Sequence, residues 1–268
     1  MTQDSMRRIE QGEFFLIAGP CVAESLDLCL RVAESVASLA QKQNIPYIFK
    51  TSFIKANRLS GETYTGPGLD KGLEILAKVK TTFQLPILTD IHETIEIAPV
   101  AQVVDVLQIP AFLCRQTDLV VKAAATGKWI NIKKGQFLAP DDMEQIARKA
   151  GTKKVMLTER GASFGYRNLV VDFRSLLIMK KTGLPVVFDA THSLQLPGGA
   201  GKESSGQPEF ALPLARAAAA VGIDGLFVET HTNPSEAKSD RATQLPLETM
   251  PKLIEQVLAI REAVKSHA

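Results

Sequence analysis

Cys21, His192, Glu229 and Asp240 bring together a thiol, an imidazole and two carboxylates. Such a mixed donor set suits one borderline divalent cation, Zn²⁺, Fe²⁺ or Mn²⁺. The four form no local motif, and each lies just beyond, or on the long loop after, a short apolar run. Only a fold that gathers the ends of those runs could make a site of them. Taken singly, Cys21 also reads as a small buried hydrophobe and His192 as a structural residue. Cys29 falls in a helical apolar pattern and Cys114 on a loop, so neither joins the set. A second group, Lys50, Lys55, Arg58, Arg115, Lys133, Lys134 and Arg160, follows the same rule of position. With 31 Lys+Arg against 29 Asp+Glu and a formal charge of +2, this gathering of cations marks a site for small phosphorylated or carboxylated molecules. Nucleic acid would call for many phosphate contacts and for aromatics between the basic residues, and aromatics are only 6% of the chain.

Three motifs point elsewhere and fail on inspection. Gly161-Ala-Ser163-Phe-Gly165 matches the nucleophile elbow of serine hydrolases, but an elbow runs straight into a helix and residues 166–173 read as extended or irregular. His92-Glu93 is no zincin, because Glu96 occupies the place of the second histidine. The glycine-rich stretch 197–206 is no P-loop: Leu196 stands where the first glycine belongs, and Glu203 follows Gly201-Lys202 where Ser or Thr is needed. A lid over a site fits that stretch better.

The elements that must position these residues follow from hydrophobic patterning. Apolar runs at 14–18, 47–50, 87–89, 106–109, 129–133, 155–158, 186–188 and 226–228 show little polar alternation, as in parallel strands covered on both faces. Amphipathic segments at 26–43, 68–83, 94–100, 117–126, 140–150, 174–182, 210–221 and 247–265 separate them. Gly151 and Gly222 stand where helices should end. Repeated strand–helix units over a chain of 268 residues predict a single (β/α)8 TIM-barrel domain spanning 1–268, with 1–13 as an N-terminal extension. The rival, an open doubly wound sheet, lacks its first-turn glycine fingerprint. A barrel keeps its active site at the C-terminal strand ends, and the residues there are the chemically rich ones: Gly19 to Cys21, Lys50 to Lys55, Asp90 with His92, Asp189 to His192, and Glu229 to His231. No apolar run approaches the ~20 residues of a membrane span, no leader pattern is visible, and three irregularly spaced cysteines suit a reducing cytoplasm.

The same residues carry a family resemblance. Ala18-Gly-Pro-Cys-Val-Ala-Glu-Ser25, Phe49-Lys-Thr-Ser-Phe53, Lys55-Ala-Asn-Arg58, Thr89-Asp-Ile-His-Glu93, Gln108-Ile-Pro-Ala-Phe-Leu-Cys-Arg-Gln-Thr-Asp118, Asn131-Ile-Lys-Lys-Gly-Gln-Phe137, Thr158-Glu-Arg-Gly161, Phe188-Asp-Ala-Thr-His-Ser193 and Gly225-Leu-Phe-Val-Glu-Thr-His231 together resemble the 3-deoxy-D-manno-octulosonate 8-phosphate synthases. These are also called 2-dehydro-3-deoxyphosphooctonate aldolases. The resemblance implies a TIM barrel that condenses phosphoenolpyruvate with D-arabinose 5-phosphate and water, releasing phosphate, for the lipopolysaccharide inner core. Cys21 resembles the metal-dependent type, with Cys21, His192, Glu229 and Asp240 as ligands. Lys50, Ser52, Lys55, Gln108, Lys133, Arg160 and His192 would hold phosphoenolpyruvate. Asn57, Arg58, Ser60 and Asp90 would meet the aldose, with Lys55, Asp90 and His192 as catalytic groups. Phe112 and Arg115 would reach a neighbouring subunit's site in a homotetramer. The related 3-deoxy-arabino-heptulosonate 7-phosphate synthases, which use erythrose 4-phosphate, are the alternative. Ile54, Leu59 and Thr65 depart from the family's usual residues in the loop that reads the sugar phosphate.

Overall fold

Each expected apolar run becomes a strand in the computed structural model, which describes residues 2–57, 63–198 and 205–266. The strands are β1 (Phe15–Gly19), β2 (Tyr47–Lys50), β3 (Ile87–Asp90), β4 (Val106–Ile109), β5 (Trp129–Lys133), β6 (Val155–Glu159), β7 (Val186–Asp189) and β8 (Gly225–His231). Each pairs in parallel with the next, and Phe15 to Gly19 of β1 pair with Gly225 to Glu229 of β8, which closes a (β/α)8 barrel. Several strands run one polar residue past the apolar run: Asp90, Glu159 and Asp189 still hydrogen-bond in the sheet although their side chains are ionisable.

The helices are α1 (Thr2–Glu10), α2 (Leu26–Lys42), α3 (Leu69–Phe83), α4 (Ile97–Val103), α5 (Thr117–Ala125), α6 (Asp142–Ala150), α7 (Arg174–Lys180), α8 (Ala211–Val221) and α9 (Met250–Lys265). Ser25 caps α2 by accepting from the Leu28 N–H. Gly151 and Gly222 end α6 and α8 with φ of 63° and 100°, the left-handed region glycine enters without strain. The expected helix at 94–100 divides into a 3₁₀ turn, Thr94–Glu96, and α4, because the Glu93–Glu96 capping box closes the first turn tightly.

Two apolar layers share the strands. Leu16, Phe49, Leu107, Ile130, Ile132, Leu157, Phe188 and Leu226 face outward and pack with the helices. Phe15, Ile17, Ile48, Leu88, Val106, Trp129, Met156, Val187 and Phe227 fill the barrel interior. α1, part of the expected extension, closes the lower end: Ile9 is buried and Met6 packs beside it against this inner cluster. The two-residue alternation of a strand then dictates what lies above. Two residues beyond Ile48, Leu88, Val106, Val187 and Phe227 come Lys50, Asp90, Gln108, Asp189 and Glu229, so these side chains form a polar layer on top of the apolar one. Asn131 and Lys133 follow Trp129 by the same parity. Glu159 has the opposite parity, faces α7, and accepts from Ser175 Oγ at 2.6 Å.

Candidate active site

The first, seventh and eighth strands deliver the Cys–His–Glu–Asp group to one place. The ligand atoms of Cys21, Glu229 and Asp240 lie within 4.8 Å of one another. His192 Nε2 is 3.5 Å from Glu229 Oε1 and 3.8 Å from Asp240 Oδ2. Asp189 Oδ2 accepts from His192 Nδ1 at 2.7 Å, which commits that nitrogen as a donor and leaves Nε2 facing the two carboxylates. Asp189 Oδ1 accepts from the His192 and Thr191 N–H groups and the Thr191 hydroxyl, so this carboxylate is locked from several sides. Burial and the Asp240 and Glu229 charges push the Cys21 thiol well up. Its sulfur lies 2.9 Å from Ser239 Oγ and donates to Asp240 at 3.5 Å. Glu229 Oε2 is buried without a hydrogen-bond partner among the described residues. Soft and hard donors with an orphaned carboxylate oxygen fit a borderline divalent cation.

The cations pair across the barrel. Lys50, on β2, donates to Glu229 on β8 at 2.5 Å, and Lys133, on β5, donates to Asp189 on β7. Both sit above Phe227, with Lys133 Nζ 3.3 Å and Lys50 Nζ 5.5 Å from the ring centroid. Burial opposes ionisation of Asp189, but His192 and Lys133 hold its carboxyl well below the usual range. Burial likewise opposes ionisation of Glu229, which His192, Lys50 and Lys55 keep well below. For Lys133 burial wins despite Asp189, and its ammonium falls to about 8. Lys55 goes the other way: burial pulls it down, while Cys21, Glu229, Asp90 and Asp240 hold it well above the usual lysine value. Asp90 stays ionised against burial through His92 and Lys55, and its Oδ1 is buried without a partner among the described residues.

A cleft of about 810 Å³ opens above this layer. Lys50, Lys55, Asn57, Asp90, Gln108, Phe112, Lys133, Arg160, His192 and Asp240 face it. Cys21, Ser52 and Glu229 are fully buried, and Glu229 touches the cleft residues Lys50, Lys55 and His192. Arg58, Leu59 and Ser60 lie outside the described residues, as does 199–204 of the glycine-rich stretch. Arg115 is exposed and does not face this cleft; its carbonyl accepts from Lys149. Lys134 turns away from the cleft and pairs with Glu159 at 3.5 Å. Ile54 packs into the outer apolar layer, and the Thr65 carbonyl accepts the Lys55 N–H, so neither side chain lines the cleft. Ser163 sits in a two-residue antiparallel strand instead of at a helix start, which removes the elbow geometry.

Sequence reading missed part of the supporting shell. Gln195 accepts from Arg160 at 2.7 Å and donates to Asp240 at 3.1 Å, tying the cation group to the Cys–His–Glu–Asp group. Gln136 faces the cleft with its Oε1 buried and without a partner among the described residues. A polar amide just past a strand end is a weak signal that only placement could strengthen. Asp189 was marked by its place at a strand end, but its role in orienting His192 and holding Lys133 emerges only from the geometry.

Comparison with known proteins gives a consistent picture. Residues 3–266 match the DAHP synthetase I family. A 2-dehydro-3-deoxyphosphooctonate aldolase of Dichelobacter nodosus (strain VCS1703A) is 57% identical over 257 residues, covering 95% of this chain and 93% of its own length. The protein of that name from Bordetella pertussis (strain Tohama I) is 55% identical over 261 residues, covering 94% and 92%. That from Synechococcus sp. (strain ATCC 27144) is 52% identical over 276 residues, covering 98% and 97%.

Proposed function

The chain belongs to the DAHP synthetase I family, among the 2-dehydro-3-deoxyphosphooctonate aldolases, and from that footing we propose how its cleft works. It condenses phosphoenolpyruvate with D-arabinose 5-phosphate and water, giving 3-deoxy-D-manno-octulosonate 8-phosphate and phosphate for the lipopolysaccharide inner core. The observation that carries this reading is the cation layer of Lys50, Lys133 and Arg160 facing one cleft beside ionised Asp90 and protonated Lys55. The erythrose 4-phosphate alternative is not favoured, since full-length relatives above 50% identity bear the octonate name.

Lys50, Lys133 and Arg160, with Ser52 and Gln108, hold the phosphate and carboxylate of the enol so that its C3 faces the aldehyde. Asn57 and Asp90, with Arg58 and Ser60, receive the aldose, and the unpartnered Asp90 Oδ1 accepts from a sugar hydroxyl. As C3 attacks, the aldehyde oxygen gains charge and Lys55, kept protonated by its neighbours, supplies the proton. Water adds at C2 and the phosphate leaves. Cys21, His192, Glu229 and Asp240 would hold one divalent cation, which when bound supplies Lewis acidity for orienting the aldehyde or the water. A Schiff-base lysine is not needed.

The whole chain acts as one catalytic domain, with small phosphorylated molecules, and neither nucleic acid nor membrane, as its partners. Phe112 and Tyr166 at the cleft, with Phe137 and Phe164, are exposed large hydrophobics that support self-association as a homotetramer in which Phe112 and Arg115 reach a neighbour. No helix among the described residues is long and apolar enough to cross a membrane, and the free thiols of Cys21, Cys29 and Cys114 support a cytoplasmic location. The test is phosphate release from phosphoenolpyruvate with five- and four-carbon aldose phosphates, with Mn²⁺ or Zn²⁺ and with a chelator. D-arabinose 5-phosphate is the expected co-substrate, with loss of activity under chelation. No release with it overturns the assignment, and full activity under chelation overturns the metal role alone.

A further inference from the structure

We propose that Gln244 is a positioning residue whose side-chain amide sets the spacing between Cys21 and Asp240; the inference rests on the metal reading of that cluster. Gln244 is buried in the segment after β8, and nothing in its residue type marks it. Its Oε1 accepts the Cys21 N–H at 3.0 Å, and its Nε2 donates to the Ser239 carbonyl at 2.8 Å. One partner is a donor and the other an acceptor, so only one orientation of the amide satisfies both. The amide therefore joins the backbone of one candidate ligand to the residue just before another.

The main chain adds a second grip. Asp240 holds a left-handed backbone, φ 46°, which a residue with a side chain keeps only when its flanks hold it there. The N–H groups of Thr243 and Gln244 both donate to the Asp240 carbonyl, at 3.0 and 3.1 Å, and close the turn. Gln244 thus fixes Asp240 through its backbone and Cys21 through its side chain. Further links run between the same loops: Cys21 Sγ lies 2.9 Å from Ser239 Oγ and donates to Asp240 Oδ2 at 3.5 Å, and the Lys238 N–H donates to Glu24 Oε1 at 2.8 Å. Of these links, the Gln244 amide alone ties main chain to main chain, so it survives whatever the Cys21 sulfur does. Without it, the buried Cys21 N–H and Ser239 carbonyl lose their partner, and the two loops can separate.

The experiment uses the full chain stripped of metal and titrated with Co²⁺, whose bond to a thiolate gives a charge-transfer band in the near ultraviolet. The parent is expected to bind Co²⁺ with that band, and Cys21→Ser to lose it. Gln244→Met, of similar length but without hydrogen bonds, should bind at least tenfold more weakly (an order-of-magnitude expectation for two lost buried hydrogen bonds). It should also show a weaker band at saturating Co²⁺ while still unfolding cooperatively. A merely structural role would lower the unfolding temperature and leave the saturated band unchanged. If Gln244→Met does not fold, Gln244→Asn, too short to reach both partners, takes its place with the same expectation. Parent-like affinity and band in the folded variant overturn the inference while the metal reading stands. A parent without the band, or Cys21→Ser retaining it, overturns the metal reading and the inference together.

Discussion

Raising the pH through about 8 should discharge Lys133, and Asp189→Asn should bring that loss to lower pH. Burial, opposed by Asp189 and reinforced by Lys50 and Arg160, lowers the Lys133 ammonium from the usual 10.5 to about 8. Its protonated fraction then falls from about nine-tenths near pH 7 to about one-tenth near pH 9. If the ammonium binds the anionic substrate, kcat/KM for phosphoenolpyruvate falls about tenfold over that interval, since this ratio reports groups of the free enzyme. Asp189 is the counter-charge, with Oδ2 accepting from Lys133. An ion pair at contact is worth about 4 kcal/mol at an effective dielectric near 20. The neutral amide of Asp189→Asn keeps an acceptor, so we take half of that, about 2 kcal/mol, as lost, which equals about 1.5 pH units. The Lys133 midpoint then drops to about 6.5, and the protonated fraction near pH 7 to about one-quarter. The assay is initial phosphate release against phosphoenolpyruvate concentration, at saturating D-arabinose 5-phosphate, from about pH 6 to about pH 9.5. It is run on the parent, Asp189→Asn and Lys133→Arg. Arginine stays charged throughout, so Lys133→Arg should lose the falling limb whatever its absolute rate. A limb at the same pH in the parent and Asp189→Asn refutes the coupling, and a limb near pH 8 surviving in Lys133→Arg refutes Lys133 as its origin.

Cys21→Ala should carry less divalent metal per chain than the parent after equilibration and gel filtration; unchanged stoichiometry removes Cys21 from the ligand set. His92 is drawn down by burial but raised to about 9 by Asp90 and Glu96, from the usual 6.5. A raised folded value means stability fully present below about pH 6.5 and lost as pH rises through about 9, about 3 kcal/mol in all. Urea unfolding should therefore show His92→Gln trailing the parent most at about pH 6 and least at about pH 9.5; a deficit that does not shrink contradicts the pairing. Gly19→Ala would set a Cβ 1.9 Å from the Lys50 carbonyl oxygen, so β1 and β2 must separate. The expected cost is about 1–3 kcal/mol, with a raised KM for phosphoenolpyruvate; a variant with parent stability and KM would show that the strand pair yields freely.

The strand ends were legible because one pattern marks them twice: an apolar run says where a strand lies, and the ionisable residue after it says which end carries chemistry. Lys50, Asp90, Lys133, Asp189 and Glu229 were all reached that way, and their inward direction follows from parity with Ile48, Leu88, Trp129, Val187 and Phe227. Lys134 shows the limit of position without parity, since one residue beyond Lys133 the side chain turns outward and pairs with Glu159. α1 was not legible because its residues are mostly polar and only Met6 and Ile9 pack on the inner cluster, too few to mark a core element. Gln195 and Gln244 were not legible either: each joins residues far from it in sequence, Arg160 in one case and Cys21 in the other, and an uncharged amide is common on any loop.

The pairing pattern itself has a geometric cause with a chemical consequence. Side chains inside such a barrel stack in layers drawn from alternate strands. Lys50 on β2 therefore meets Glu229 on β8, and Lys133 on β5 meets Asp189 on β7, each pair skipping the strand between. Lys50 and Lys133, which stand on strands that are not neighbours, thus both face the cleft, each held by its own carboxylate. Every one of those carboxylates also serves another group: Glu229 faces His192 and Lys55, and Asp189 orients His192. The charge that holds a lysine proposed to bind substrate and the charge that shapes the proposed metal-ligand cluster are therefore the same charge. A divalent cation held by Cys21, His192, Glu229 and Asp240 would draw on Glu229 and weaken its hold on Lys50, leaving that ammonium for the substrate's anionic groups. Metal and phosphoenolpyruvate should accordingly bind cooperatively, and a calorimetric titration showing the substrate bound equally well with and without metal would contradict the shared-carboxylate design.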